Sequence, residues 1–158
     1  MSKLYVAYGS NLNIGQMARR CPTARIYDVG VLNNWELLFR GNSRGCGVAT
    51  VERKKGSTVP VGLWEIEDED EKNLDIYEGY PFLYGKQNVY VTMEDGSKKK
   101  AMIYIMTPGH WPTGPSRAYE TTIRTGYEDF GLDISIFDEA IEKNCLELRH
   151  RPRPFKLR

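Results

Sequence analysis

Histidine is nearly missing from this chain: there are two in 158 residues, His110 and His150. No C-x-x-C or H-x-x-x-H pair occurs. A zinc centre or a Ser-His-Asp triad would have to be assembled from almost nothing, so no metal is expected. Cysteine is scarce too. Cys21, Cys46 and Cys145 are odd in number and far apart, which excludes a disulfide scaffold and points to a reducing cytoplasm. Neither sign of charge dominates: 22 Lys plus Arg stand against 21 Asp plus Glu, a net charge of +1. That balance argues against polyanion binding as the main task, and no nucleic-acid partner is expected. The longest apolar runs, Leu4–Tyr8 and Ala101–Met106, fall far short of the ~20 residues that span a bilayer. The first is too short for a signal-peptide core and the second is internal. No membrane partner is expected. Internal repeats, low-complexity segments and interdomain linkers are also lacking. The reading is one domain over residues 1–148 and a basic, extended or disordered tail over 149–158.

What is present is an ordinary globular composition, 41% hydrophobic and 27% charged. A strand is predicted over Lys3–Tyr8, ending at Gly9-Ser10-Asn11. A short helix should follow, because Asn13 and Gln16 have N-cap and N3 spacing and Pro22 stops it. Arg25–Leu32 and Trp35–Arg40 read as two strands joined tightly at Asn33-Asn34. Val48–Glu52 and Val59–Ile66 read as a hairpin around Lys54–Ser57. Between these pairs, Gly41–Gly47 has neither a P-loop lysine nor G-x-G-x-x-G spacing and reads as a flexible loop.

The acidic run Glu67–Glu71 marks a helix start capped by Asp68, and Gly79 is its C-terminal stop. Two alternating runs, Tyr84–Met93 and Lys98–Met106, flank Glu94-Asp95-Gly96-Ser97, a strong hairpin signal. Ser116–Tyr127 should be helical, with Tyr119 and Ile123 on one face. A final helix capped by Asp133 presents Ile134, Phe137, Ile141, Cys145 and Leu148. Six to seven strands arriving in clusters, with three to four short helices, make an α+β fold with an antiparallel or mixed, strongly curved sheet.

Two places can carry chemistry. In Tyr8-Gly9-Ser10-Asn11-Leu12 a glycine turn lies between a strand end and a helix start, where successive backbone N–H groups can converge on an anion. The same residues also suit a plain turn with an Asx cap. Glu78 falls at the negative end of a helix dipole, beside Tyr77, Tyr80 and Phe82. If those rings exclude water, the carboxyl pKa rises toward neutrality, where it can move protons. A surface glutamate in a frayed last turn fits the spacing equally. Asp75 and Glu120 are the alternative carboxylates. Among ten tyrosines, Tyr84, Tyr104, Tyr119 and Tyr127 fall in or beside core elements, and buried hydroxyls need partners.

Together, Y-G-S-N-L after the first strand and the Glu78-Gly79 pair resemble the γ-glutamylcyclotransferase-like family. The resemblance continues through Tyr104-Ile105-Met106-Thr107, Pro115-Ser116-Arg117-Ala118-Tyr119, Gly126 and Gly131-Leu132. It spans roughly residues 4 to 145. It implies a small mixed β-barrel flanked by helices, with Glu78 as the catalytic glutamate and Tyr8, Gly9, Ser10, Asn11 and Leu12 binding a γ-glutamyl group. It also implies pocket roles for Tyr119 and Tyr84. The implied activity is release of 5-oxoproline and a free amine or amino acid from a small-molecule γ-glutamyl amide, with no cofactor, by a monomer or homodimer. A cyclotransferase acting on γ-glutamyl-amines and a non-catalytic binding module with the same pocket are the alternatives.

Overall fold

The computed structural model describes residues 2–150. Five strands among them close into a barrel: β1 (Lys3–Ala7), β2 (Arg25–Gly41), β3 (Gly47–Ile66), β4 (Tyr84–Met93) and β5 (Lys98–Met106). Their order around the barrel is β1-β3-β2-β4-β5, antiparallel except where β5 meets β1 in parallel at Tyr5 and Met102. The helices are α1 (Ile14–Arg20), α2 (Asp68–Glu78), α3 (Arg117–Phe130) and α4 (Ser135–His150). The fold is therefore the expected small mixed α+β barrel. No helix among the described residues is long and apolar enough to cross a membrane.

The strand count is lower than six to seven because two expected breaks are not chain reversals. Arg25–Leu32 and Trp35–Arg40 are one 17-residue strand, and Val48–Glu52 and Val59–Ile66 belong to one 20-residue strand paired with it. The punctuating residues mark an irregularity instead. Asn33 pairs with Thr58 and Trp35 with Arg53, so Asn34 alone faces residues 54–57. Asn34 and Gly56 take positive φ there, 68° and 87°, and Gly56 N donates to Asn34 Oδ1 at 3.0 Å. Asparagine and glycine tolerate the left-handed region that such a bulge needs. The β4–β5 hairpin has the expected bounds, with Gly96 at φ 86° in its turn.

Local signals set the helix ends. Asn13 accepts from Gln16 N at 2.9 Å, Ser116 caps α3 by accepting from Tyr119 N, and Asp133 accepts from Ser135 N. The cap of α2 is Glu67 rather than Asp68: Glu67 N donates back to the buried Asp70 carboxylate at 3.0 Å, which also takes the Thr23 hydroxyl. In α4 the buried side is Phe137, Ala140 and Asn144, while Cys145 and Leu148 are exposed. Asn144 donates to the Phe39 and Thr113 carbonyls, which satisfies backbone acceptors an apolar residue could not reach. The helix continues through Arg149 and His150, two residues past the start of the expected tail. Residues 151–158 of that tail lie outside the described residues.

The barrel interior is filled by residues with no exposure, among them Leu32, Val51, Val61, Leu63 and Ile103. Each contributes roughly 1.5–3 kcal/mol of burial. Phe39 meets Phe137 of α4 edge-on at 6.0 Å, which seats that helix on the sheet. α3 also lies very close to the segment after β1. A Cβ on Gly126 would lie 2.6 Å from Leu12 Cβ and 2.7 Å from Asn13 N. Backbone cannot step aside cheaply, so Gly126→Ala should destabilise the fold by about 1–3 kcal/mol. Thermal or denaturant unfolding checks this. A melting temperature within a degree of the wild type would show that α3 stands further off.

Candidate active site

β1 delivers the chain through Tyr8 and Gly9 into a single 3-10 turn, Ser10–Leu12. The turn's first bond runs from Leu12 N to Gly9 O at 3.0 Å, followed by Asn13 N to Ser10 O at 3.0 Å. The Ser10 and Asn11 amides precede these bonds and are not used inside the turn. Asn11 is 3% exposed and held on several sides. It donates to the Tyr5 hydroxyl at 2.8 Å and accepts from Arg20 at 2.6 Å, and its carbonyl takes Trp64 Nε1 at 2.9 Å.

Glu78 is the last residue of α2. Gly79 ends the helix at φ 64°, with Tyr80 N bonded to Asp75 O. The turn and Glu78 line one cleft of about 460 Å³, and Tyr84 and Tyr119 line it with them. Leu12 does not. It is fully buried, packed against Gly126 and within reach of Gly62, so its part is to seat the turn rather than to meet a ligand.

Glu78 is part-buried, and among the described residues no donor hydrogen-bonds its carboxylate. Burial pushes its pKa up from 4.5 to about 8, with the Arg20 guanidinium pulling the other way. The aromatic shield expected from its sequence neighbours is only partly there, since Phe82 is 87% exposed and Tyr80 faces solvent. Of those neighbours Tyr77 lines the cleft, and the other rings come from elsewhere: Tyr5, Tyr8, Tyr84, Tyr104 and Tyr119. Asp75 and Glu120 do not line it. Asp75 accepts the Tyr104 hydroxyl at 2.6 Å and pairs with Lys86 at 3.0 Å, while Glu120 pairs with Arg124. Glu78 is the one carboxylate on the cleft wall among the described residues.

Three of the six phenols already donate, Tyr104 to Asp75 among them. Tyr8 gives its proton to Tyr104 O at 2.7 Å, and Tyr84 gives its own to Ala49 O at 2.5 Å. Tyr119 instead accepts from Ala49 N at 3.0 Å, which leaves its own O–H free to point at a ligand. Burial drives the pKa of Tyr8, Tyr84 and Tyr119 further up, so all three stay protonated at neutral pH.

Two contributions escaped sequence reasoning. Gly41–Gly47, set aside as a flexible loop, supplies Asn42, Ser43 and Arg44 to the mouth of the cleft. Asn42 Oδ1 organises it by accepting from Arg44 N at 2.9 Å and Cys46 N at 3.0 Å. Arg44 is the one cation on the cleft wall, and no carboxylate pairs with it among the described residues. Arg20 was missed because nothing in its local sequence sets it apart from Arg19. Among the described residues no cluster of His, Cys, Asp and Glu is arranged to hold a metal ion.

Residues 5–126 match the family described as gamma-glutamyl cyclotransferase, AIG2-like. The chain belongs to that family. It is 31% identical to the gamma-glutamylcyclotransferase of Homo sapiens over 153 residues, covering 90% of this chain and 80% of that protein. The Bos taurus gamma-glutamylcyclotransferase is also 31% identical, over 84% of this chain and 74% of that one. A solved structure described as gamma-glutamyl cyclotransferase superposes with a TM-score of 0.80 at 28% identity, covering 92% of this chain and 87% of that one. Family and relatives together indicate an enzyme with gamma-glutamyl cyclotransferase activity.

The carboxyl of Glu78 makes a prediction about stability. Folded, it keeps its proton up to about pH 8; unfolded, it loses it near the ordinary 4.5. Between those values the folded chain binds more protons, so this group's contribution to stability falls as pH rises through that window. Glu78→Gln should therefore leave stability nearly unchanged at pH 4 and raise it by roughly 1–3 kcal/mol at pH 8. Denaturant melts of both proteins at the two pH values measure the difference. An equal effect at both would mean that Glu78 titrates normally.

Proposed function

We propose that this protein closes the γ-glutamyl part of a γ-glutamyl amide into 5-oxoproline and releases the amine, with Glu78 carrying the protons. The observation that carries this reading is a carboxyl facing the Tyr8–Asn11 turn across one cleft, alone there and free of hydrogen bonds among the described residues, with a pKa raised by burial to about 8. A γ-glutamyl amide brings its own nucleophile, so no enzyme nucleophile is needed. The turn and Glu78 would hold the substrate folded back, with its α-nitrogen against its γ-carbonyl.

The protons balance through one carboxyl. Glu78 takes a proton from the α-ammonium, and the freed amine attacks the γ-carbonyl carbon. A C–N bond forms and the carbonyl becomes an oxyanion. Glu78 then gives its proton to the amide nitrogen, and the bond to the leaving amine breaks as the carbonyl reforms. The second proton of the α-nitrogen follows the same route, so the products are a lactam N–H and an ammonium ion. The Ser10 and Asn11 amides, unused among the described residues, and the Tyr119 hydroxyl would be the donors that meet the substrate's negative oxygens.

Glu78→Gln should still bind substrate while kcat falls by roughly 10²–10⁴-fold. The assay is 5-oxoproline release. In the wild type, kcat/KM should fall on the acid side of an inflection near pH 8, where Glu78 takes up its proton. The same limb in kcat should lie lower, because a bound ammonium favours the carboxylate. A Gln variant of full activity would place the base elsewhere and end this mechanism.

Arg44 favours a leaving amine that carries a carboxylate, because it is a cation at the mouth of the cleft that no carboxylate among the described residues pairs with. Arg44→Ala should raise KM roughly 5–50-fold for a γ-glutamyl amino acid and leave a γ-glutamyl alkylamide within twofold. Equal losses on both substrates would mean that Arg44 only shapes the loop.

A further inference from the structure

Ser10 and Asn11 reach the cleft from the end of β1, and Glu78 reaches it from the end of α2. No continuous element joins the two. Arg20, in the last turn of α1, touches the turn at Asn11 and α2 at Asn73 and Tyr77. Its guanidinium donates to Asn11 Oδ1 at 2.6 Å and to Gln16 Oε1, while its face lies over the Tyr77 ring, 3.6 Å from the centroid. Its own carbonyl accepts Asn73 Nδ2 of α2 at 2.9 Å. The Tyr77 hydroxyl completes the circuit at 3.0 Å from Ser10 Oγ. The chain therefore runs from Asn11 through Arg20 and Tyr77 back to Ser10, one residue before Glu78.

We propose that Arg20 is the positioning residue that locks the Tyr8–Leu12 turn onto the C-terminal end of α2 and so fixes where the backbone donors stand relative to the Glu78 carboxyl. Only arginine suits the place. Its planar fork serves two acceptors in its own plane while its face stacks on a ring. A lysine keeps the charge but is a point donor and cannot stack in this way. The mouth residues cannot substitute for it, since they come from the β2–β3 loop and bond within it. The kinetic part of this inference rests on the function proposed above; the geometric part does not.

Arg20→Lys and Arg20→Met are the variants, with the exposed neighbour Arg19→Met as control. The first readout is amide hydrogen exchange, which needs no substrate. Leu12 and Asn13, whose amides close the turn, should exchange at least tenfold faster in both Arg20 variants, with α3 and α4 unchanged. The second is 5-oxoproline release. kcat should fall roughly 10–100-fold in both variants, the effect of a small displacement of reacting groups. Arg19→Met should match the wild type in both readouts.

The pH profile separates position from charge. Glu78 is faced by Arg20 of α1, by Tyr5 and Tyr8 at β1, by Tyr77 beside it on α2, by Tyr84 of β4, by Tyr104 of β5 and by Tyr119 of α3, with Arg44 at the cleft mouth. Arg20→Met should move the acid limb to higher pH by removing a cation. Arg20→Lys should leave the limb near its wild-type place and still lose kcat. If Arg20→Lys keeps full kcat and wild-type exchange, charge alone matters and the lock is wrong. If the variants unfold, Tyr77→Leu, which removes the ring under Arg20 and the bond to Ser10, must reproduce the faster exchange or the proposal falls. A wild type that releases no 5-oxoproline would remove the proposed activity, and unchanged exchange in the variants would overturn the lock independently.

Discussion

The close approach of Gly126 to the backbone at Leu12 and Asn13 governs the geometry of the cleft. With only a hydrogen on Gly126, α3 lies directly on the turn that follows β1. That position carries Tyr119, seven residues earlier on the same helix, over Gly9 and within 3.0 Å of Ala49 N on β3. One contact thus settles three things: the turn's seat, the cleft's far wall and the placing of the Tyr119 phenol proton. Leu12 does this by being buried, which is why it belongs to the motif without touching the cleft. Trp64 supports the turn from the barrel side, with Nε1 on the Asn11 carbonyl and its ring edge-on to Phe130 at 5.6 Å.

The acidic helix α2 shows how differently one fold can treat carboxylates. Asp70 is buried and satisfied by Glu67 N and the Thr23 hydroxyl. Glu71 lies between Lys3 and Lys86 at 2.6 and 2.7 Å, and these partners outweigh its burial and hold its pKa below the usual carboxylate range. Asp75 takes Lys86 and the Tyr104 hydroxyl. Only at the helix's last residue does the pattern stop. Among the described residues Glu78 has neither donor nor adjacent ammonium, and it stands at the negative end of the dipole. Burial and Arg20 then oppose each other, and burial wins because Arg20's fork is turned to Asn11 and Gln16.

How much of this was legible depended on the range of the contact involved. Asn13 with Gln16, Gly79 and Asp95-Gly96 are local devices, acting within four residues, and each does in the structure what its spacing implies. Asn33-Asn34 and Lys54–Ser57 carried equally clear turn chemistry. They accommodate a bulge in two long paired strands because the partner strand, which the local sequence does not reveal, continues past both. The placement of Tyr8–Asn11 and Glu78 on one cleft was reached through resemblance rather than periodicity, since β1 and α2 meet only once the barrel is closed. Arg20 and Arg44 stayed hidden for the same reason. A guanidinium over a ring 57 positions away, from Arg20 to Tyr77, leaves no periodic trace.

An unpaired carboxyl in a tyrosine-lined cleft is a poor arrangement for stability and a good one for proton transfer. The folded chain keeps Glu78 largely neutral at pH 7, and no hydrogen-bond donor among the described residues contacts it. A ligand bearing an ammonium supplies the missing partner and shifts the group toward its charged form on binding. In the proposed reaction the base would thereby be armed by its own substrate, and it stays uncharged in the empty cleft. Phenols of high pKa around it support this, because they exclude water without adding charge that would compete for the ammonium. The same arrangement discriminates by chemistry. Under the proposed mechanism a neutral amide of equal size would meet a protonated carboxyl and gain little, so selection for an α-ammonium would follow from the uncompensated state of Glu78.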